Sequence, residues 1–282
     1  MRSPCCRPSL TLKIAPILDP VNDSTDASQI QSLWTQVDGL RMNGRIGLNG
    51  DPMGQRRPIL FLHGLGVSSR YMVPTMLEMA PRHRVYAPDL PGFGRSQKPR
   101  RAMNIFQLTD ALIGWMQAWQ LGKSVLVCNS MGCQVAIELA IRRPDLVDRL
   151  VLSGPTMEPR AASPFMQILR LARDSIHEKP SLWLVAGFDY VRAGPLRVLE
   201  TLRLAIDDHV ERKLARFRAQ TLLVRGSHDP VASQAWLEEI GSNISGARLA
   251  VIPRTGHAVN YSTPKEFAAL IREFIESGSV AE

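Results

Sequence analysis

In Val125-Leu126-Val127-Cys128-Asn129-Ser130-Met131-Gly132-Cys133-Gln134-Val135-Ala136, an apolar strand-like run passes straight into a helical pattern, with a serine at the junction. A chain that turns so sharply holds the junction residue in strained backbone and has room only for small residues two positions to either side. Gly132 meets that demand, and Cys128 meets it less well than a glycine would. The serine then stands at a helix N-terminus, where unpaired backbone N–H groups and the helix dipole favour an anion. On this segment alone, a plain capping role for Ser130 is equally open.

Similar apolar runs recur along the chain, at Ile59-Leu60-Phe61-Leu62, Val85-Tyr86-Ala87, Leu150-Val151-Leu152, Thr221-Leu222-Leu223-Val224 and Leu249-Ala250-Val251-Ile252. Runs this short and this apolar suit strands buried on both faces. Helical patterns lie between them, over 72–79, 106–119, 131–141, 234–240 and 264–275. Strands alternating with helices predict an α/β fold, with a mostly parallel central sheet flanked by helices. Ahead of the sheet, Trp34 to Met42 reads as a hairpin turning at Asp38-Gly39. About seventy residues between Leu152 and Thr221 break the alternation, with helical character at 165–172, 181–186 and 196–204, too long for a structureless loop. They leave the sheet at a strand's C-terminal end, the ligand side of an open α/β sheet, and are expected to form a helical cap over a pocket. The expected layout is an N-terminal extension over 1–32, a core of 33–155 and 219–282, and a cap over 156–218.

A nucleophilic serine needs a base to take its proton and an acid to orient that base. His257 follows the last apolar run, in Pro253-Arg254-Thr255-Gly256-His257, and Asp229 follows the preceding one, in Gly226-Ser227-His228-Asp229-Pro230. The order Ser130, Asp229, His257 is the chain order of this constellation on an α/β sheet. Taken singly, His257 reads as a loop histidine, Asp229 as a turn residue, and His228 as a rival beside it. An oxyanion also needs two donors. The Met131 N–H supplies one, and the turn His63-Gly64-Leu65-Gly66 supplies the other through the Leu65 N–H, with His63 expected to be structural.

These segments, with Asp89-Leu90-Pro91-Gly92-Phe93-Gly94-Arg95-Ser96 and Gly256-His257 followed by Pro264 and Phe267, resemble the α/β-hydrolase superfamily and its capped serine-hydrolase branch. The resemblance runs from about residue 33 to the C-terminus. It implies Ser130 as nucleophile, Asp229 as acid, His257 as base, an oxyanion hole at Leu65 and Met131, and no metal or organic cofactor. Asp89 is expected to shape its loop and stays outside the catalytic set. Cys128 replaces the family's first elbow glycine. Ala258-Val259 follow His257 where the carbon–carbon bond hydrolases usually carry an aromatic residue. The expected activity is hydrolysis of a small-molecule carboxylic ester. The alternatives are C–C bond hydrolysis on the same triad and a non-catalytic binding protein on the same scaffold.

Composition bounds the partners. The chain has 282 residues, 45% hydrophobic and 21% charged, with a formal charge of +8. That composition excludes disordered and fibrous chains, and no apolar run is long enough to span a bilayer. The arginines are dispersed and often neighbour acids, as in Arg142-Arg143-Pro144-Asp145, so no nucleic-acid partner is expected. Cys5, Cys6, Cys128 and Cys133 make no metal-ligand spacing, and the N-terminus has no apolar signal core, so a cytoplasmic setting is expected. Gly122-Lys123-Ser124 echoes a phosphate loop but has Gln117 where that motif needs glycine. Within the expected cap, Phe165, Met166, Leu169, Trp183, Phe188 and Tyr190 suggest an apolar pocket. Arg170, Arg173 and Arg192 are candidates to meet a carboxylate.

Overall fold

The computed structural model describes residues 30–51, 53–161 and 163–277. The N-terminal extension up to residue 29, with Cys5 and Cys6, lies outside the described residues. The chain begins with an antiparallel hairpin, β1 (Gln31–Val37) and β2 (Leu40–Gly47), turning at Asp38 and Gly39 with φ of 45° and 81°. The first strand therefore starts already at Gln31, slightly ahead of the expected boundary. It is followed by β3 (Ile59–Leu62), α1 (Val73–Met79), β4 (Val85–Pro88), α2 (Ile105–Ala118), β5 (Ser124–Asn129), α3 (Met131–Arg142) and β6 (Val147–Ser153). After β6 come α4 (Pro164–Asp174), α5 (Pro180–Ala193) and α6 (Pro195–Ile206). The chain returns through β7 (Gln220–Gly226), α7 (Gln234–Asn243), β8 (Arg248–Ile252), α8 (Val259–Ser262) and α9 (Pro264–Glu276).

The eight strands form one sheet in the order β1-β2-β4-β3-β5-β6-β7-β8. From β4 to β8 every pairing is parallel, which turns the C-terminal ends of β3, β5, β6, β7 and β8 to one edge. The two sheet faces carry separate cores. Alternate residues of β5 divide between them: Leu126 and Cys128 join the cluster of α2 and α3, while Val125 and Val127 join that of α1 and α9. The near-continuous apolar runs of β3, β4 and β5 are accordingly buried throughout. The run at β8 differs from the expectation, because β8 closes the sheet edge and leaves Leu249 and Val251 exposed. No helix among the described residues is long and apolar enough to cross a membrane.

Candidate active site

Ser130 ends β5 and precedes α3 with φ 56° and ψ −124°, a conformation that costs a side-chain-bearing residue about 1–3 kcal/mol. Two backbone hydrogen bonds hold it there: its N–H donates to Ser153 O at 3.0 Å, and its carbonyl accepts from Cys133 N–H at 2.9 Å. Gly132 allows α3 to lie this close to the sheet, since a Cβ there would stand 2.6 Å from Leu62 O and 2.9 Å from His63 O. The turn forms with Cys128 in place. Its side chain is fully buried in the cluster that also holds Met131 and Val135, and burial pushes the thiol pKa well up.

Asp229 and His257 emerge after β7 and β8 and meet directly, with His257 Nδ1 at 2.9 Å from Asp229 Oδ2. Asp229 cannot rotate away, because its Oδ1 accepts the N–H groups of Val231 (2.7 Å) and Ala232 (3.0 Å). Arg225 fixes the same loop by donating to Asp229 O at 2.8 Å and Ala232 O at 3.1 Å. This carboxylate makes Nδ1 the protonated nitrogen, leaving Nε2 free to act as a base. Nε2 is buried without a hydrogen-bond partner, and His257 and Ser130 line one cavity without a hydrogen bond between them. Burial lowers the imidazole pKa, but Asp229, joined by Asp174 and Glu178, outweighs it and raises the value to about 9. Room for the imidazole comes from Gly154 at the end of β6, where a Cβ would sit 2.7 Å from His257 Nδ1 and 3.2 Å from Asp229 Oδ2.

The cavity has a volume of about 400 Å³. Leu65 and Met131 line it beside Ser130, and Met131 opens α3, where backbone N–H groups lack helical acceptors. Ile168, Leu171, Trp183 and Tyr190 line it from α4 and α5, so the segment inserted after β6 supplies much of the wall. His63 lies outside this chemistry: its Nε2 accepts from Leu90 N–H at 2.9 Å and its Nδ1 donates to Gly64 O at 2.8 Å. Burial lowers its pKa, so it is neutral, as a structural histidine should be. Asp89 accepts the N–H groups of Ser69 and Arg95 and shapes the loop between them. His228 turns its ring toward His177, at 5.0 Å between centroids, and does not line the Ser130 cavity.

Three polar side chains at this site escaped the sequence reading. Asn129 donates through Nδ2 to Ser153 Oγ and His257 O, both at 3.2 Å, and accepts from the Tyr71 hydroxyl at 3.1 Å, tying the serine turn to the histidine loop. Asp174, at the end of α4, accepts the His257 N–H at 2.9 Å. Glu178 accepts the Ala258 N–H at 2.7 Å and the Ser262 hydroxyl. The available signal was two acids four positions apart in the insertion, with one of them at a helix C-terminus, where the dipole disfavours it. The three candidate arginines go elsewhere. Arg170 pairs with Glu158 at 2.7 Å, Arg192 donates to Gly94 O at 2.5 Å, and Arg173 lines a separate recess.

A parallel sheet with a strained serine after a central strand, and an acid and a histidine after the two strands at its far edge, defines the α/β-hydrolase class. The alpha/beta hydrolase family model matches residues 59–270, and the chain belongs to that family. It is 26% identical to a 2-hydroxymuconate semialdehyde hydrolase of Pseudomonas sp. (strain CF600), over 79% of this chain and 88% of that protein. It is 24% identical to a pimeloyl-[acyl-carrier protein] methyl ester esterase of Nitrosospira multiformis, over 82% of this chain and 99% of that protein. In structure it resembles a thermophilic esterase from Thermogutta terrifontis with a TM-score of 0.73 at 22% identity, covering 89% of this chain and 99% of that one.

Proposed function

We propose that the protein is a serine hydrolase that cleaves small-molecule carboxylic esters by acyl transfer. The observation that carries this reading is the buried Asp229–His257 pair, whose unpartnered Nε2 shares one apolar cavity with the strained Ser130. Ser130 Oγ attacks the ester carbonyl as His257 Nε2 takes its proton, and Asp229 stabilises the imidazolium. The Leu65 and Met131 N–H groups donate to the developing oxyanion, a kind of interaction that supplies several kcal/mol to such reactions. His257 then protonates the departing alcohol and activates the water that releases the acid. Covalent labelling by a fluorophosphonate, read by intact mass, is expected for the native chain and not for Ser130→Ala. The same substitution is expected to lower ester turnover by several orders of magnitude. An unlabelled, folded native chain would reject the proposal.

C–C bond hydrolysis uses the same groups, and one relative acts on a 2-hydroxymuconate semialdehyde, whose name denotes a carboxylate. The cavity favours the ester, because among the described residues no lysine or arginine lines it to receive a substrate carboxylate. A ring-fission dienoate assayed beside neutral esters separates the two, with the esters expected to be the better substrates.

A further inference from the structure

The charge inventory of the cavity leans to the acidic side. Among the described residues, its ionisable lining comprises Asp174, Glu178 and His257, with the phenols of Tyr71 and Tyr190, and contains no lysine or arginine. The two glutamate oxygens are both engaged, by the Ala258 N–H and the Ser262 hydroxyl. The imidazole is engaged by Asp229. Asp174 is different. Its Oδ1 accepts the His257 N–H, whereas its Oδ2 has no hydrogen-bond partner among the described residues. The residue is only 5% exposed, and among the described residues no lysine or arginine pairs with it. Holding the His257 N–H requires an acceptor, not a charge; an asparagine oxygen would serve. An ionised carboxylate is costly to bury, and although the His257 imidazolium favours the charged form, burial pushes the Asp174 acid up to about 7.

We propose that Asp174 is the polar anchor of the substrate, and that the cavity takes an ester bearing an ammonium or protonated amine beside it. This inference rests on the serine-esterase reading above and names its substrate class. Such a cation would add counter-charge to a site where Asp174, Glu178 and Asp229 share the single imidazolium of His257. Aromatic walls suit the same group, because ring faces attract ammonium ions. Tyr71 and Tyr190 line the cavity, as does Trp183, whose indole N–H donates to the Ser175 carbonyl at 3.0 Å, directly after Asp174. A carboxylate substrate, by contrast, would meet Asp174 and Glu178, with His257 as the sole basic side chain among the described lining residues.

The test is a charge series on one shape. p-Nitrophenyl esters of 4-(trimethylammonio)butyrate, 5,5-dimethylhexanoate and glutarate present a cation, a neutral isostere and an anion on the acyl side. Choline acetate and 3,3-dimethylbutyl acetate do so for cation and neutral isostere on the alcohol side. In at least one series the native enzyme is expected to favour the cation over its neutral isostere by tenfold or more in kcat/KM, and the glutarate ester is expected to be the poorest acyl substrate. Asp174→Asn keeps the acceptor for His257 N–H and removes the charge, so the cation-to-neutral ratio should fall toward one. Effects on His257 itself act on both esters and cancel in that ratio. Equal native rates for cation and neutral isostere in both series would overturn the proposal, as would a preference that survives Asp174→Asn. Failure of every ester together with absent fluorophosphonate labelling would instead remove the esterase reading, and this proposal with it.

Discussion

Ser130 is fixed in a backbone conformation that serine seldom adopts, and His257 is held in a protonation balance that a free imidazole in neutral water does not favour. A pKa near 9 for His257 means that the neutral, proton-accepting imidazole is the minor form at pH 7. The pH profile of kcat/KM for a neutral ester is therefore expected to rise toward an alkaline limb at about 9. Asp174 is one of the negative charges holding that proton, so Asp174→Asn is expected to move the limb to lower pH. An unmoved limb would show that the residue does not act on the imidazole. At this scale the sequence was readable where chemistry is local. The serine, the acid and the base each follow an apolar run in a fixed order, and Cys128 did not hide the turn because its buried thiol fits the core beneath α3. Asp174 and Asn129 were not readable, because their partners lie 83 and 128 positions away in the chain, respectively.

The inserted helices are fastened on two sides, to the His257 loop and to the loop that follows Leu65. On one side, Asp174 and Glu178 take the N–H groups of His257 and Ala258. On the other, Asp189 of α5 accepts the Ser68 hydroxyl at 2.6 Å and pairs with Arg70 at 2.9 Å, just beyond the turn that holds Leu65. Glu178→Ala would leave the Ala258 N–H and the Ser262 hydroxyl buried without an acceptor, for a loss of about 2–4 kcal/mol. Urea denaturation should register that loss, and Glu178→Gln, which retains an acceptor, should recover part of it. Helices were foreseeable in the segment from its apolar periodicity. Their lengths were underread: α5 runs over Pro180–Ala193, because the residues extending it pack on the core loops and carry polar groups that disguise the period.

Across the whole molecule, the parallel order of β4 to β8 was legible from the strand–helix alternation, and burial on both faces explains why. The outer strand β8 was legible as a strand but not as an edge, since its apolar run reads like the inner ones. Stability should carry the signature of the site as well. His257 has its pKa raised from 6.5 to about 9, so its ionised form favours the folded state. That contribution is fully present below about 6.5 and is lost as pH rises through about 9. The melting temperature is accordingly expected to decline across this window, and more steeply in the native chain than in His257→Gln.

The anchoring of His257 through acceptors on the inserted segment limits how this hydrolase can be remodelled. An insertion borrowed from a relative would have to bring its own oxygen atoms for the His257 and Ala258 N–H groups. Without them, a chimaera would exchange its specificity at the cost of the base's alignment. Recombination between such enzymes is therefore constrained at the far end of α4, well away from the splice points in sequence.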